Sequence, residues 1–195
     1  MKYGAHFLIM LACLWQQARS AEQPLFVSTD FDHRGEVYTE SGKGRISLTE
    51  LIKKANELAA KAWVITAEGA DKGKVIVTDE PDQESKKADL ESIMKRMAKL
   101  RRAVSYLARG RKPRRITGTP RQIAEELAQL ALLSLAFKPQ HGTDNLNEYY
   151  SLNAHLWLQA QELAKCIKDT GKVKEIYKRL RILEREGHKK FRKHD

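Results

Sequence analysis

Cysteine is scarce in this chain, which has only two cysteines among its 195 residues, Cys13 and Cys166. No CxxCH sequence and no zinc-binding spacing of cysteine and histidine occurs, so covalent c-type haem is excluded and no zinc motif is present. If Cys13 is removed with a leader peptide, Cys166 stands alone and no intrachain disulfide can form. The stability of the fold must then come from packing or from a bound cofactor.

Long apolar runs are absent as well. The run AHFLIMLACLW near the N-terminus is too short to span a bilayer, and no later segment qualifies. It follows Lys2 and precedes a short polar tail, and this three-part form predicts a secretory signal peptide. Ala18 and Ser20 form a small-x-small pair that favours cleavage after Ser20. We therefore expect residues 1–20 to be removed and the mature protein to be periplasmic, without a transmembrane segment.

Motifs that carry catalysis are also missing. The stretch ESGKGRIS has two glycines near a lysine but lacks the spacing of a phosphate-binding loop. No Ser/His/Asp or Cys/His arrangement stands out, and the paired carboxylates are adjacent in sequence rather than convergent. The sequence therefore does not predict an enzyme.

Positive charge is what the chain has in excess, with 36 lysines and arginines against 25 acids and a formal net charge of +11. Removal of Lys2 and Arg19 with the leader leaves +9. Residues 101–115, here called the basic loop, concentrate seven cations: Arg101, Arg102, Arg109, Arg111, Lys112, Arg114 and Arg115. Because Tyr106 is the only aromatic ring among them, nucleic acid is not expected. An acidic protein partner or anionic lipid headgroups fit this charge better.

Residues 21–85 are predicted to form a small α+β extension. The segment 21–46 mixes glycine with β-branched and aromatic residues, which is typical of a hairpin or two short strands. At Ser47 a helix is predicted to begin, because Glu50 three residues later completes a capping box. The segments WVITA and KVIVTD predict a second strand pair, and the polar stretch 80–87 predicts a linker.

Four helical segments are predicted over residues 88–195. The first runs from about 88 to 108 and ends through Gly110, and the second opens with Thr119 as N-cap and Gln122 completing a capping box. The third and fourth are separated by Gly171. At helical spacing the third carries Tyr149, Leu152, Leu156, Ala160, Leu163 and Ile167, and the fourth carries Val173, Ile176, Tyr177, Leu180, Leu183, His188 and Phe191.

Short connections between these segments force antiparallel neighbours. The predicted fold class is therefore all-α, an up-down-up-down four-helix bundle with a small α+β N-terminal extension. Spacing places Met94 and Met97 on one apolar face of the first helix. The up-down-up-down order places Met94, near the start of the first helix, and His188, near the end of the fourth, at the same end of the bundle. Each lies at the flank of its apolar stripe, so the two side chains can face each other across the core.

Both ends of the helical region resemble a known family. ADLESIMKRMAKL is similar to the first helix of the cytochrome b562 family, which begins Ala-Asp-Leu-Glu and supplies a methionine three residues later. DTGKVKEIYKRLRILEREGHKKFRKHD resembles the family's ending, where a Gly-Lys-Val-Lys-Glu turn opens the last helix and a histidine lies near the C-terminus. The interval from that turn to His188 is about three residues shorter than in the family, nearly one helical turn. The resemblance covers roughly residues 88–195.

The resemblance implies a non-covalent haem b with Met94 and His188 as the two axial ligands of its iron. Thioether and imidazole ligation suits one-electron transfer, so it implies an exported electron-transfer protein that meets a redox partner with an acidic surface. Met97 is a second candidate sulfur, interpreted as core packing. The alternative hypothesis is a haem-free helical envelope protein that binds an acidic or anionic partner through the basic loop 101–115.

Overall fold

The computed structural model describes residues 36–38, 45–69, 71–81, 84–113, 116, 118–139 and 143–191. The predicted signal peptide, part of the first predicted hairpin, and Arg114 and Arg115 of the basic loop lie outside these ranges. All described residues belong to one unit that spans residues 31–195. No helix among them is long and apolar enough to cross a membrane.

The described part of the chain is mostly helical. Its five α-helices are α1 (Leu48–Ala60), α2 (Leu90–Leu107), α3 (Pro120–Ser134), α4 (Leu146–Cys166) and α5 (Thr170–Phe191), and a 3-10 helix covers Thr143–Asn145. The predicted helical character of residues 88–195 is thus confirmed in the part of this region that the structure describes, as is the single helix of the N-terminal extension.

Five short strands accompany these helices: β1 (Glu36–Tyr38), β2 (Arg45–Ser47), β3 (Ala62–Ile65), β4 (Val75–Val77) and β5 (Ser85–Lys87). β1 and β2 form an antiparallel pair, whereas β3 lies between β4 and β5 in a three-stranded antiparallel sheet. The linker predicted over residues 80–87 is therefore wrong in its second half. β5 forms because β3 offers a free edge there, and Lys87 Nζ lies 4.6 Å from the centre of the Trp63 ring.

The extension and the helices share one hydrophobic core. β3 alternates between buried Ala62 and Val64 and half-buried Trp63 and Ile65, so one face of the small sheet turns inward. Buried residues of the extension form a continuous cluster with those of the helices, among them Leu51, Ala55, Val75, Ile93, Leu100, Leu130, Leu163 and Leu180. α1 contacts both α3 and α4.

The boundary signals predicted from the sequence are confirmed at one helix and wrong at two others. At α3 the predicted capping box is confirmed: Gln122 N–H donates to Thr119 Oγ1, and the Gln122 side chain accepts from the Thr119 N–H. At α1 the box predicted at Ser47 is wrong, because Ser47 occupies the N-cap position but makes no side-chain capping hydrogen bond. Gly171 does not end the third predicted helix; α4 ends at Cys166, and Gly171 lies in the first turn of α5.

The start of α2 carries a cap that titrates. The Ser92 N–H donates to Asp89 Oδ1 at 2.7 Å, and this hydrogen bond, with a smaller effect of Lys86, holds the pKa of the Asp89 carboxyl below its usual value. A lowered folded-state pKa means that the stabilising contribution is present above the unfolded-state pKa of about 3.9 and is lost as the pH falls through the folded-state pKa.

We therefore expect Asp89→Ala to lower the free energy of unfolding by about 1 kcal/mol near neutral pH. The difference from the wild type should shrink as the pH is lowered below about 4, because the wild-type carboxyl then becomes protonated. Urea unfolding followed by circular dichroism, near neutral pH and below about pH 4, measures the free energy of unfolding of both proteins. Asp89→Asn, which keeps an accepting oxygen, serves as the control and should retain most of the stability without the pH dependence.

Polar groups also lie inside the helical region. Arg96 of α2 is 5% exposed, and its guanidinium meets the Glu126 carboxylate of α3 through two hydrogen bonds of 2.7 and 3.0 Å. Between α3 and α4, buried Ser134 Oγ lies 2.8 Å from Asn153 Oδ1, and the Tyr149 hydroxyl donates to the Ser134 carbonyl at 3.2 Å. Burial raises the pKa of Tyr149 far above its usual value, so this hydroxyl stays a donor.

Candidate functional site

A groove open to solvent, with a volume of about 770 Å³, lies between α2 and α5. It is lined by one residue of α2 and seven of α5, which are Arg101 and then Tyr177, Lys178, Arg181, Ile182, Glu184, Arg185 and His188. We call it the α2–α5 groove. It brings His188, predicted as an iron ligand, together with Arg101, which belongs to the basic loop.

The sequence of α5 explains why these residues share a side. Tyr177, Arg181, Glu184 and His188 follow one another at intervals of four, three and four residues, which places them in one row along a helix. The buried residues of α5 form a separate row, comprising Val173, Ile176, Leu180 and Leu183. The helix therefore buries one row in the core and offers the other to the groove.

An ion pair crosses the groove. Arg101 Nε lies 2.8 Å from Glu184 Oε2, and both side chains are only about one-quarter exposed. The N–H at Nε is nevertheless not directed at the carboxylate well enough for a hydrogen bond and has no other acceptor among the described residues. The pair therefore joins α2 to α5 by charge, and it leaves Arg101 with donor capacity that is not used.

The remaining charge of the groove is positive. Lys178, Arg181 and Arg185 face a single acid, Glu184, which already pairs with Arg101. Lys178 and Arg181 are exposed and form no ion pair with any residue of the described ranges, and Arg185 has only a 3.6 Å contact with Glu186 next to it. Cations crowded beside a low-dielectric wall raise the local concentration of anions. The groove is thus suited electrostatically to an anionic ligand.

Met94 does not lie where the sequence placed it. Its side chain is 39% exposed, and it does not belong to the groove lining, so the prediction of a shared apolar face with Met97 is wrong. Met97 is the methionine of that face, at 6% exposed. The reason is the turn angle: each residue rotates a helix by about 100°, so Met94 lies about 60° from Met97 and about 120° from Leu100, outside the buried row that Ile93, Met97 and Leu100 occupy.

The α2–α5 groove does not bring Met94 and His188 together. The Met94 side chain is exposed, whereas His188 is half-buried at the groove. The inner sides of α2 and α5 carry buried side chains, namely Ile93, Met97, Leu100 and Val104 on α2 and Val173, Ile176, Leu180 and Leu183 on α5. Over the described ranges, no cluster of three or more His, Cys, Asp or Glu residues forms a metal-binding group either.

The basic loop is divided by the structure. Arg101 and Arg102 belong to α2, and only Arg101 reaches the groove. The helix then ends in a turn in which Gly110 has φ of +67° and its N–H donates to the Leu107 carbonyl. Beyond it, Arg111 and Lys112 are exposed. The loop therefore extends a positive surface from the groove toward this end of α2.

Cys166 is the cysteine that remains after the predicted cleavage. It is half-buried at the end of α4, and burial, followed by the nearby Glu162 carboxylate, raises the pKa of its thiol. The thiol is therefore held in its neutral form, which disfavours a nucleophilic role.

Sequence reasoning missed the contribution of α5. Lys178, Arg181 and Arg185 supply most of the positive charge of the groove, although the densest run of cations lies in the basic loop. The available signal was their spacing of three and four residues, which defines a cationic row on one helix. No family model, curated protein or solved structure matches the chain.

Proposed function

We propose that this protein is a non-catalytic binding protein of the bacterial periplasm, built on an up-down-up-down four-helix bundle, and that its α2–α5 groove takes an anionic ligand. The observation that carries the proposal is the convergence of Lys178, Arg181 and Arg185 on an open groove whose single acid is already paired.

The contacts between helices support the bundle. α2 contacts α3, α3 contacts α4, α4 contacts α5, and α2 contacts α5, which closes a ring of four. Only three residues separate α4 from α5, so these neighbours reverse direction, and the proposed bundle has α3 and α4 reverse in the same way across longer connections. At one end, for example, the ring of Phe191 near the close of α5 lies 5.4 Å from that of Tyr149 near the start of α4. Three reversals make α2 and α5 antiparallel.

The lining also restricts the chemistry of the ligand. Arginine offers a planar fork of donors that suits carboxylate and phosphate oxygens, and lysine adds a point charge. Tyr177 and Ile182 give the groove a small apolar surface, so a ligand that combines negative oxygens with an apolar or aromatic part can use both. Arg101 Nε has no hydrogen-bond acceptor among the described residues, but the atom is buried, and the Arg101 side chain is about one-quarter exposed, so this residue contributes charge to the groove rather than a free donor.

Inorganic tripolyphosphate is the probe for the test, with binding to residues 21–195 measured by titration calorimetry at low salt. We expect Arg181→Gln with Arg185→Gln to weaken binding by at least about tenfold, since each charge-assisted hydrogen bond contributes about 1.5–3 kcal/mol and every 1.4 kcal/mol is tenfold. The matched control is Lys53→Gln with Lys72→Gln, which removes the same charge from exposed sites of the extension and should change affinity less than twofold. Equal losses in both variants would refute the groove as the site.

A second candidate is the b-type haem electron carrier that the resemblance implies, and the observation that favours it is the presence of His188 in the groove. His188 would supply the imidazole, and Arg181 and Arg185 would face the two carboxylates of the group. When bound, haem supplies one-electron transfer. The reduction potential of the haem would be set by its burial and by the charges of Arg181 and Arg185.

The register of α2 against α5 bears on the sulfur ligand. The Arg101–Glu184 pair serves as the reference level. Met97 lies four residues before Arg101 and His188 four residues after Glu184, and each interval corresponds to about 6 Å along its helix axis. Met94 lies about 10.5 Å from Arg101 along the axis of α2. By this count Met97 would be about level with His188, and Met94 about 4.5 Å, or three residues, beyond it. The shorter interval before His188 accounts for this offset.

Haemin titration, followed by absorption spectroscopy before and after reduction, tests this candidate with the same groove variant and control. If haem lies in the groove, His188→Ala should abolish the sharp low-spin bands, while Met94→Ala should leave them unchanged. A broad spectrum of free haemin in the wild type would reject haem and leave the anion site to the tripolyphosphate result.

A further inference from the structure

We infer that the anion recognised by this protein is the phosphate headgroup layer of an anionic bilayer, on which the outer surface formed by α2 and α5 docks without inserting. The inference rests on the proposed function and names its partner.

The first observation is a row of cations along α5. Lys174, Lys178, Arg181 and Arg185 follow at intervals of four, three and four residues, and all four are exposed. Eleven residues of helix correspond to about 16 Å, so the row presents a line of positive charge rather than a single pocket. A line of this kind matches a surface with many headgroups better than it matches one small ligand.

The second observation is independent of charge. The large hydrophobic side chains that are exposed in the described part of the chain are Met94 at 39%, Tyr106 at 38% and Ile182 at 38%. They lie on α2 and α5 and on no other described helix, close in sequence to Lys95, Arg102, Arg109, Arg181 and Arg185. Apolar side chains interleaved with lysine and arginine are typical of helices that lie at the interface of an anionic membrane.

The same surface fits other anionic macromolecules less well. Single-stranded nucleic acid is held by successive aromatic rings on which its bases stack, and here the rings near the cations are Tyr106 and Tyr177, on different helices. An acidic protein would leave the exposure of Met94, Tyr106 and Ile182 unexplained. Headgroups use both kinds of residue, because phosphates meet the cations while apolar side chains rest at the boundary between headgroups and acyl chains.

Co-sedimentation with phosphatidylcholine vesicles, with and without phosphatidylglycerol, tests the inference on residues 21–195, because the apolar leader would itself bind vesicles. The wild type should partition onto the phosphatidylglycerol vesicles and not onto pure phosphatidylcholine, and added salt should weaken it. One cation near such a surface contributes about fivefold to the partition coefficient.

The discriminating variant is Lys174→Gln with Tyr106→Ser, because neither residue lines the groove. It should lower vesicle partitioning about tenfold and leave tripolyphosphate affinity unchanged, whereas Lys53→Gln with Lys72→Gln should change neither. If the wild type binds tripolyphosphate but not phosphatidylglycerol vesicles, the lipid inference is overturned and the anion groove stands. If it binds neither, both fail. Equal binding to the two kinds of vesicle would also overturn the inference, because charge would then not be the basis.

Discussion

Replacement of Arg96 by alanine is expected to lower the free energy of unfolding by about 3 kcal/mol or more. The Arg96 side chain is 5% exposed and the Glu126 side chain 17%, and two hydrogen bonds join them between α2 and α3. Without the guanidinium, the carboxylate is left largely buried with no partner, and the loss of its solvation is not offset. Urea unfolding followed by far-ultraviolet circular dichroism measures the change.

Arg121 and Glu125 provide a matched control on α3. This pair has the same chemistry and the same 2.7 Å distance, but its side chains are 73% and 50% exposed, so Arg121→Ala should cost less than about 1 kcal/mol. The double variant Arg96→Met with Glu126→Leu removes both charges and should recover most of the lost stability. If Arg96→Ala and Arg121→Ala cost the same, burial does not determine the energy of the inner pair.

Leu51→Ala is expected to destabilise the whole chain by about 3 kcal/mol, within the usual range for a buried leucine. Leu51 lies on α1, is 1% exposed, and belongs to the same hydrophobic cluster as the inner residues of α2 to α5. Its removal leaves a cavity between the extension and the helical region. Because the core is continuous, the helices should lose stability together with the extension rather than remain unaffected.

Tryptophan fluorescence can follow the two regions separately. After removal of residues 1–20, Trp63 on β3 reports on the extension and Trp157 on α4 reports on the helices. The single-tryptophan variants Trp63→Phe and Trp157→Phe each leave one reporter. The urea midpoints of the two variants should agree with each other, both in the otherwise wild-type chain and after Leu51→Ala, as expected of a two-state transition. A shift of the Trp63 midpoint alone would show that residues 21–85 unfold as a separate domain.

The helices could be predicted from the sequence because their signals are local. Thr119 and Gln122 form a capping box whatever packs beside them, and apolar spacing marks the inner side of each helix. β5 could not be predicted, because its residues Ser85–Lys87 have little strand propensity and pair only where β3 presents an edge. The absence of a side-chain cap at Ser47 also depends on a neighbouring element, because Ser47 is the last residue of β2 and the chain enters α1 directly from that strand.

The candidate site was only partly predictable. His188 and Arg101 were selected from the sequence, one by resemblance and one as part of the basic loop, and both line the groove. The outward position of Met94 depends on how far α2 is rotated about its axis, and the spacing of apolar residues alone does not determine that angle. The cations of α5 matter because α2 lies next to them, which is a tertiary fact that the sequence of either helix does not contain.

Glu184 gives the groove a resident anion of its own. An incoming ligand finds Lys178, Arg181 and Arg185 ready, but it can recruit Arg101 only in exchange for the carboxylate already beside it. Weak anions should therefore be excluded from that position by competition within the protein, while a multivalent anion can displace Glu184 and gain a fourth cation. The Arg101–Glu184 ion pair should therefore increase the selectivity of the groove for multivalent anions over monovalent ones.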